Sequence, residues 1–132
     1  MKNLKLQLRN NHINFKVYLS VGSASCTKEQ ILLENRDKSG IYLWENIADG
    51  KIYIGSSTDL RRRIMTYLNL KHLAKYPTRY INNALLKSGH LGFNLYILEY
   101  CDVNDLIATI SNNTFLIYWN RITIYVPRQV LL

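Results

Sequence analysis

The chain has 132 residues, enough for one domain around one core and too few for two. With 48% hydrophobic and 20% charged residues it is too apolar for an intrinsically disordered chain, and no apolar run reaches membrane-spanning length. Lys and Arg number 17 against 9 Asp and Glu, a formal net charge of +8, which favours a polyanionic partner because each neutralised phosphate releases counterions. The alternative is a set of solvated basic helix faces. Cys26 and Cys101 stand far apart, and His12, His72 and His90 form no ligand spacing, which argues for a reducing compartment and against a zinc site.

No acid precedes Glu29, whereas Lys2, Lys5, Arg9 and Lys16 occupy the first 20 residues. This basic extension, taken as residues 1–30, reads equally as a transit peptide or as a basic arm or translated upstream segment. Phe15 to Leu19 alternates loosely and suits a short strand. Thr27 is placed to cap a helix with Glu29 and Gln30 in its first turn, ending before Gly40.

Two β-rich runs follow, Gly40 to Trp44 and Lys51 to Gly55, around an Asp49-Gly50 turn, which predicts an antiparallel hairpin. Ser57 or Thr58 then caps a helix whose apolar face is Leu60, Ile64 and Tyr67. A polar link with Pro77 leads to a second helix, Arg79 to Lys87, stopped by Ser88-Gly89, and Phe93 to Glu99 alternates as a third strand. The expected architecture is α/β of the α+β kind, a small three-stranded antiparallel sheet flanked by helices. Beyond Asp105 the pattern fades, with a helix beginning somewhere in Ile107 to Ile117 as one reading and β-branched residues from Ile122 to Val126.

Tyr42 and Tyr53 stand on the two hairpin strands and can project from one sheet face. Gly55 leaves room for a phosphate at the strand's exit. Arg63 sits near the start of the following helix, four residues from Tyr67 on the same face. Two phenols, a guanidinium and a nearby hydroxyl make a cradle for one phosphodiester. The alternative is ordinary sheet tyrosines beside a solvated arginine.

Gly40-Ile41-Tyr42 and Tyr53-Ile54-Gly55, with ten residues between them, followed by Ser56 through Arg63, resemble the GIY-YIG nuclease family. Asn82 to Leu86 with Lys87-Ser88-Gly89, and Leu98 to Asp102, are similar to versions encoded in fungal mitochondrial introns. The resemblance covers Lys38 to Ile107, more weakly from Ile31, and it marks residues 31–107 as the nuclease domain. It implies endonucleolytic hydrolysis of double-stranded DNA by a monomeric, intron-encoded homing enzyme of the mitochondrion, with one Mg²⁺ or Mn²⁺ ion. On that basis Tyr42 helps orient or deprotonate the attacking water beside Tyr53, Arg63 stabilises charge on the phosphate, and Tyr67 contacts the phosphate or leaving group. A tyrosine near its usual pKa of about 10 is a poor base, so a metal-bound water or a lowered pKa has to assist. Arg61, Arg62, Lys71, Lys75 and Arg79 are expected to hold the DNA backbone.

One part of the family pattern is missing. The metal-holding glutamate is expected at or next to Ile110, yet Ala108 to Asn112 carries no carboxylate, and no Asp or Glu follows Asp105. Residues 108–132 therefore read as a divergent tail. Codons for Tyr118 through Tyr125, taken one base earlier, can spell Leu-Glu-Pro and a continuation of the family type, which suggests a frameshift after Ile107. A non-catalytic module that binds DNA or intron RNA through the basic face is the rival reading.

Overall fold

A computed structural model describes residues 4–10, 14–106 and 124–125 of the chain. In order, the elements are α1 (Leu4–Asn10), β1 (Lys16–Tyr18), α2 (Lys28–Glu34), β2 (Ser39–Asn46), β3 (Ile52–Ser57), α3 (Leu60–Leu68), α4 (Leu70–Lys75), α5 (Tyr80–Ser88), β4 (Phe93–Cys101) and β5 (Ile124–Tyr125). The α/β character holds, but four strands rather than three run antiparallel, in the order β1-β4-β2-β3, and the two-residue β5 lies parallel to β3. The added edge strand is β1, whose Lys16, Val17 and Tyr18 pair with Ile97, Tyr96 and Leu95. Among the described residues no helix is long and apolar enough to cross a membrane.

The hairpin turn works as its residues dictate. Gly50 takes a φ of 73°, a left-handed value that costs glycine nothing, and Asn46 and Asp49 accept backbone N–H groups of Ala48 and Lys51 at 3.0 and 2.9 Å. With the turn fixed, the register follows: Tyr42 faces Gly55 and Trp44 faces Tyr53.

Both faces of the sheet are covered, so β2 is buried along most of its length. One face carries Tyr42, Trp44 and Tyr53 and packs beneath Ile31, Leu60, Ile64, Tyr67, Leu73, Ile81 and Leu85 of the helices. The other carries Ile41, Leu43, Ile52 and Ile54 and packs against Leu4 and Leu8 of α1. Thus α1 and β1, both within the first 30 residues, contribute to the folded layers. Between β2 and β4 the register slips, Ile41 pairing with Glu99 and Tyr42 with Ile97, so Leu98 is an extra residue. Gly40 lies beside this bulge, where a Cβ would overlap the Glu99 carbonyl oxygen.

Two helix starts differ from expectation. Thr27 does cap α2, accepting the Gln30 N–H at 3.2 Å. The cap of α3, however, is Asp59, which accepts the Arg62 N–H at 3.1 Å; Ser57 is instead occupied with the Asp59 backbone. The link before Pro77 contains α4, capped by Asn69 through the N–H groups of Lys71 and His72. The second predicted helix begins at Tyr80, with Arg79 as its N-cap residue.

Candidate active site

The hairpin and α3 bring the key side chains together on one face of the sheet. Tyr42 and Tyr53 project to the same side as expected, though diagonally, since each faces a different partner across the strands. Above them α3 supplies Tyr67, whose hydroxyl lies 2.7 Å from that of Tyr42 and is also hydrogen-bonded to Tyr53. The Tyr67 ring meets Tyr42 and Trp44 edge-on, with centroids 5.7 and 5.6 Å apart. Arg63, one turn earlier on α3, is partly exposed, and its charge acts on both Tyr42 and Tyr67.

The room over Gly55 is filled rather than open, which corrects the expectation of a phosphate there. A Cβ at Gly55 would overlap the Tyr42 hydroxyl and ring. Because the register sets Tyr42 opposite a residue without a side chain, its phenol lies down over the strand and is fully buried. Ile41 and Ile54 belong to the opposite core and contribute packing only.

Burial governs the acidity of these phenols. Tyr42 is pushed well above its ordinary range, first by burial and then by its proximity to Tyr53, with the Tyr67 hydrogen bond and Arg63 opposing. Tyr67 is raised for the same first reason, with Tyr42 adding to it and Tyr53 and Arg63 opposing. At neutral pH burial holds both in the neutral form, so service as a base would require a further group that lowers their pKa. A testable pH dependence follows. Both folded values exceed the unfolded value of about 10, so their contribution is complete below about pH 10 and is lost as pH rises toward the folded values. Each phenol contributes a slope of about 1.4 kcal/mol per pH unit in that window. Thermal melts against pH should fall above about pH 10, and a Tyr42→Phe Tyr67→Phe double variant should fall less steeply there.

The charge around the site is one-sided. From Leu60 to Leu98 there is no Asp or Glu, while Arg61, Arg62, Arg63, Lys71, Lys75, Arg79 and Lys87 all lie there. Arg61 and Arg62 are exposed on α3, Lys71 and Lys75 on α4, and Arg79 just before α5, so they flank the phenols without joining them. Among the described residues no three His, Cys, Asp or Glu side chains come together. The expected glutamate position at Ile110 lies outside the described residues, as does most of the tail 108–132. Three hydroxyls beside a guanidinium suit an anionic phosphate; by themselves they bring no carboxylate for a hard Mg²⁺ or Mn²⁺ ion, which is commonly held by one or two carboxylates with waters and substrate phosphate.

Two residues of this site carry no signal in the sequence. His90, buried after the Ser88-Gly89 stop, places Nε2 at 2.7 Å from the Tyr67 carbonyl oxygen and so fixes the last turn of α3. Burial lowers its pKa, which favours the neutral ring that donates to that carbonyl. Trp44 forms the floor, packed edge-on between Tyr67 and Phe93.

The fold and site define an α/β domain with a phenol–guanidinium cluster flanked by a basic helical layer. The family model described as the GIY-YIG catalytic domain matches residues 38–121, and the chain belongs to that family. No curated protein and no solved structure matches it. Membership makes the domain one of the nuclease type, acting on DNA.

Proposed function

We propose that the chain is the nuclease domain of an intron-encoded homing endonuclease of a fungal mitochondrion, acting on double-stranded DNA as a monomer with attenuated cleavage. The observation that carries this reading is the hydroxyl trio of Tyr42, Tyr53 and Tyr67 on one face of the GIY-YIG hairpin, with the charge of Arg63 acting on Tyr42 and Tyr67. Arg63 would hold a non-bridging oxygen of the scissile phosphate and stabilise the charge that builds there. The neutral phenols would orient a water or the leaving oxygen by hydrogen bonding, with protons shared along the Tyr53–Tyr67–Tyr42 hydroxyls. Tyr42 is thus a positioning hydroxyl rather than a general base.

Attenuation rests on the donor set: no acid follows Asp105 in the sequence, and no group of three His, Cys, Asp or Glu side chains forms among the described residues. That same fact favours a second reading, a nuclease relic that binds nucleic acid without cutting it. We attribute the missing acid to a frameshift after Ile107; the nucleotide sequence tests this, since the earlier frame must spell a glutamate near position 110.

The function is tested by nicking of supercoiled plasmid in Mg²⁺ by the parent and by Ile110→Glu. Weak nicking by the parent and at least tenfold more by the variant is the expected result. Binding without nicking by either protein points to the relic.

A further inference from the structure

The turn between α4 and α5 gathers a second concentration of chemistry that the cleavage site does not use. The Tyr76 ring carries the Arg79 guanidinium 4.4 Å from its centroid, the Lys75 ammonium at 5.7 Å and the His72 ring at 5.3 Å. Tyr76 remains 36% exposed, and Tyr80 beside it 37%.

The backbone under that ring is pinned. The Tyr76 N–H donates to the Leu73 carbonyl at 3.2 Å, and its own carbonyl accepts from the Arg79 N–H at 3.2 Å and from Asn82 Nδ2 at 3.1 Å. Asn82 is buried, so a polar side chain is withdrawn from water to hold this one carbonyl. Pro77 fixes the next φ. An exposed aromatic on a fixed backbone loses little freedom when it binds.

Phosphates need only cations, and Lys71 and Lys75 already provide them one helical turn apart on α4. A planar ring under a guanidinium suits the flat face of a base. Faces are hidden inside a duplex and become available only where a base is unpaired. We propose that the Tyr76–Arg79 turn is a stacking site for an unpaired base of a DNA strand, with Lys71 and Lys75 on the adjoining phosphates. This rests on the DNA-acting reading above and adds the form of DNA engaged.

The experiment is fluorescence anisotropy with the full chain in the absence of divalent ions. One labelled DNA sequence is used as a single strand, as a blunt duplex and as a duplex with one unpaired nucleotide. The single strand and the bulged duplex should bind more tightly than the blunt duplex. Tyr76→Leu should weaken both by about tenfold and leave blunt-duplex affinity and the melting temperature unchanged, while Tyr76→Phe keeps the parent's affinity. Arg79→Lys retains the charge but loses the plane, and it should weaken the same two probes. Equal weakening of all three probes, or none by Tyr76→Leu, would overturn the stacking site while blunt-duplex binding still upholds the DNA-acting reading. Binding to no probe would overturn both.

Discussion

Trp44→Ala is expected to destabilise the domain by about 3–5 kcal/mol, much of the roughly 5–15 kcal/mol that holds a small protein together. Trp44 is fully buried at the centre of β2, with Tyr67 and Phe93 edge-on at 5.6 and 6.1 Å. Both neighbours are themselves anchored, Tyr67 by His90 and two phenols and Phe93 on β4, so the space cannot collapse and a cavity remains. Among the described residues the buried indole Nε1 meets no hydrogen-bond partner, so its loss orphans no acceptor there and the effect is one of packing. Trp44→Phe should therefore cost much less than Trp44→Ala, since it fills part of the space and removes that unpaired donor. Urea denaturation measures both; an alanine variant as stable as the parent would show that the site does not rest on this ring.

The hairpin, the family motif and the Arg63–Tyr67 face were legible in the sequence because each depends on local chemistry: an Asp-Gly turn, residues on two short strands, and a helical spacing of four. The filling of Gly55 was not, since counting outward from Asp49-Gly50 sets it across from Trp44, whereas the observed register, closed between Asn46 and Lys51, sets it across from Tyr42. What stayed hidden was tertiary. The short strand expected in Phe15 to Leu19 is present as β1, but its place at the sheet edge beside β4 could not be read locally, and α4 is too short to show a period. Asp59 was passed over as a cap because Ser57 and Thr58 offer the same chemistry just before it, and only the backbone path decides among them. The rise of the phenol pKa values comes from helices that pack over the hairpin, a burial that no tripeptide reveals.

Arg63→Ala carries the largest expected effect on chemistry. Removing a preorganised positive group beside a phosphate costs about 10²- to 10³-fold in rate, measured as nicking by the more active Ile110→Glu background. The fold should survive, because Arg63 is partly exposed and α3 is held by Leu60, Ile64 and Tyr67. Arg63→Lys should recover only part of the loss, a point charge replacing a planar fork. By contrast Arg61→Ala and Arg62→Ala should weaken binding modestly and reduce its salt dependence, as expected of backbone contacts. Equal losses from all three arginines would leave Arg63 no special place.

The most direct measurement is a nuclear magnetic resonance titration of the protein, its tyrosine rings labelled, with a short DNA duplex. The Tyr42, Tyr53 and Tyr67 ring signals should shift together as phosphate neutralises the guanidinium beside them, and Arg63→Ala should abolish those shifts. Shifts confined to Tyr76 and Tyr80, with the three phenols silent at saturation, would mean that DNA binds this domain somewhere other than the hairpin face.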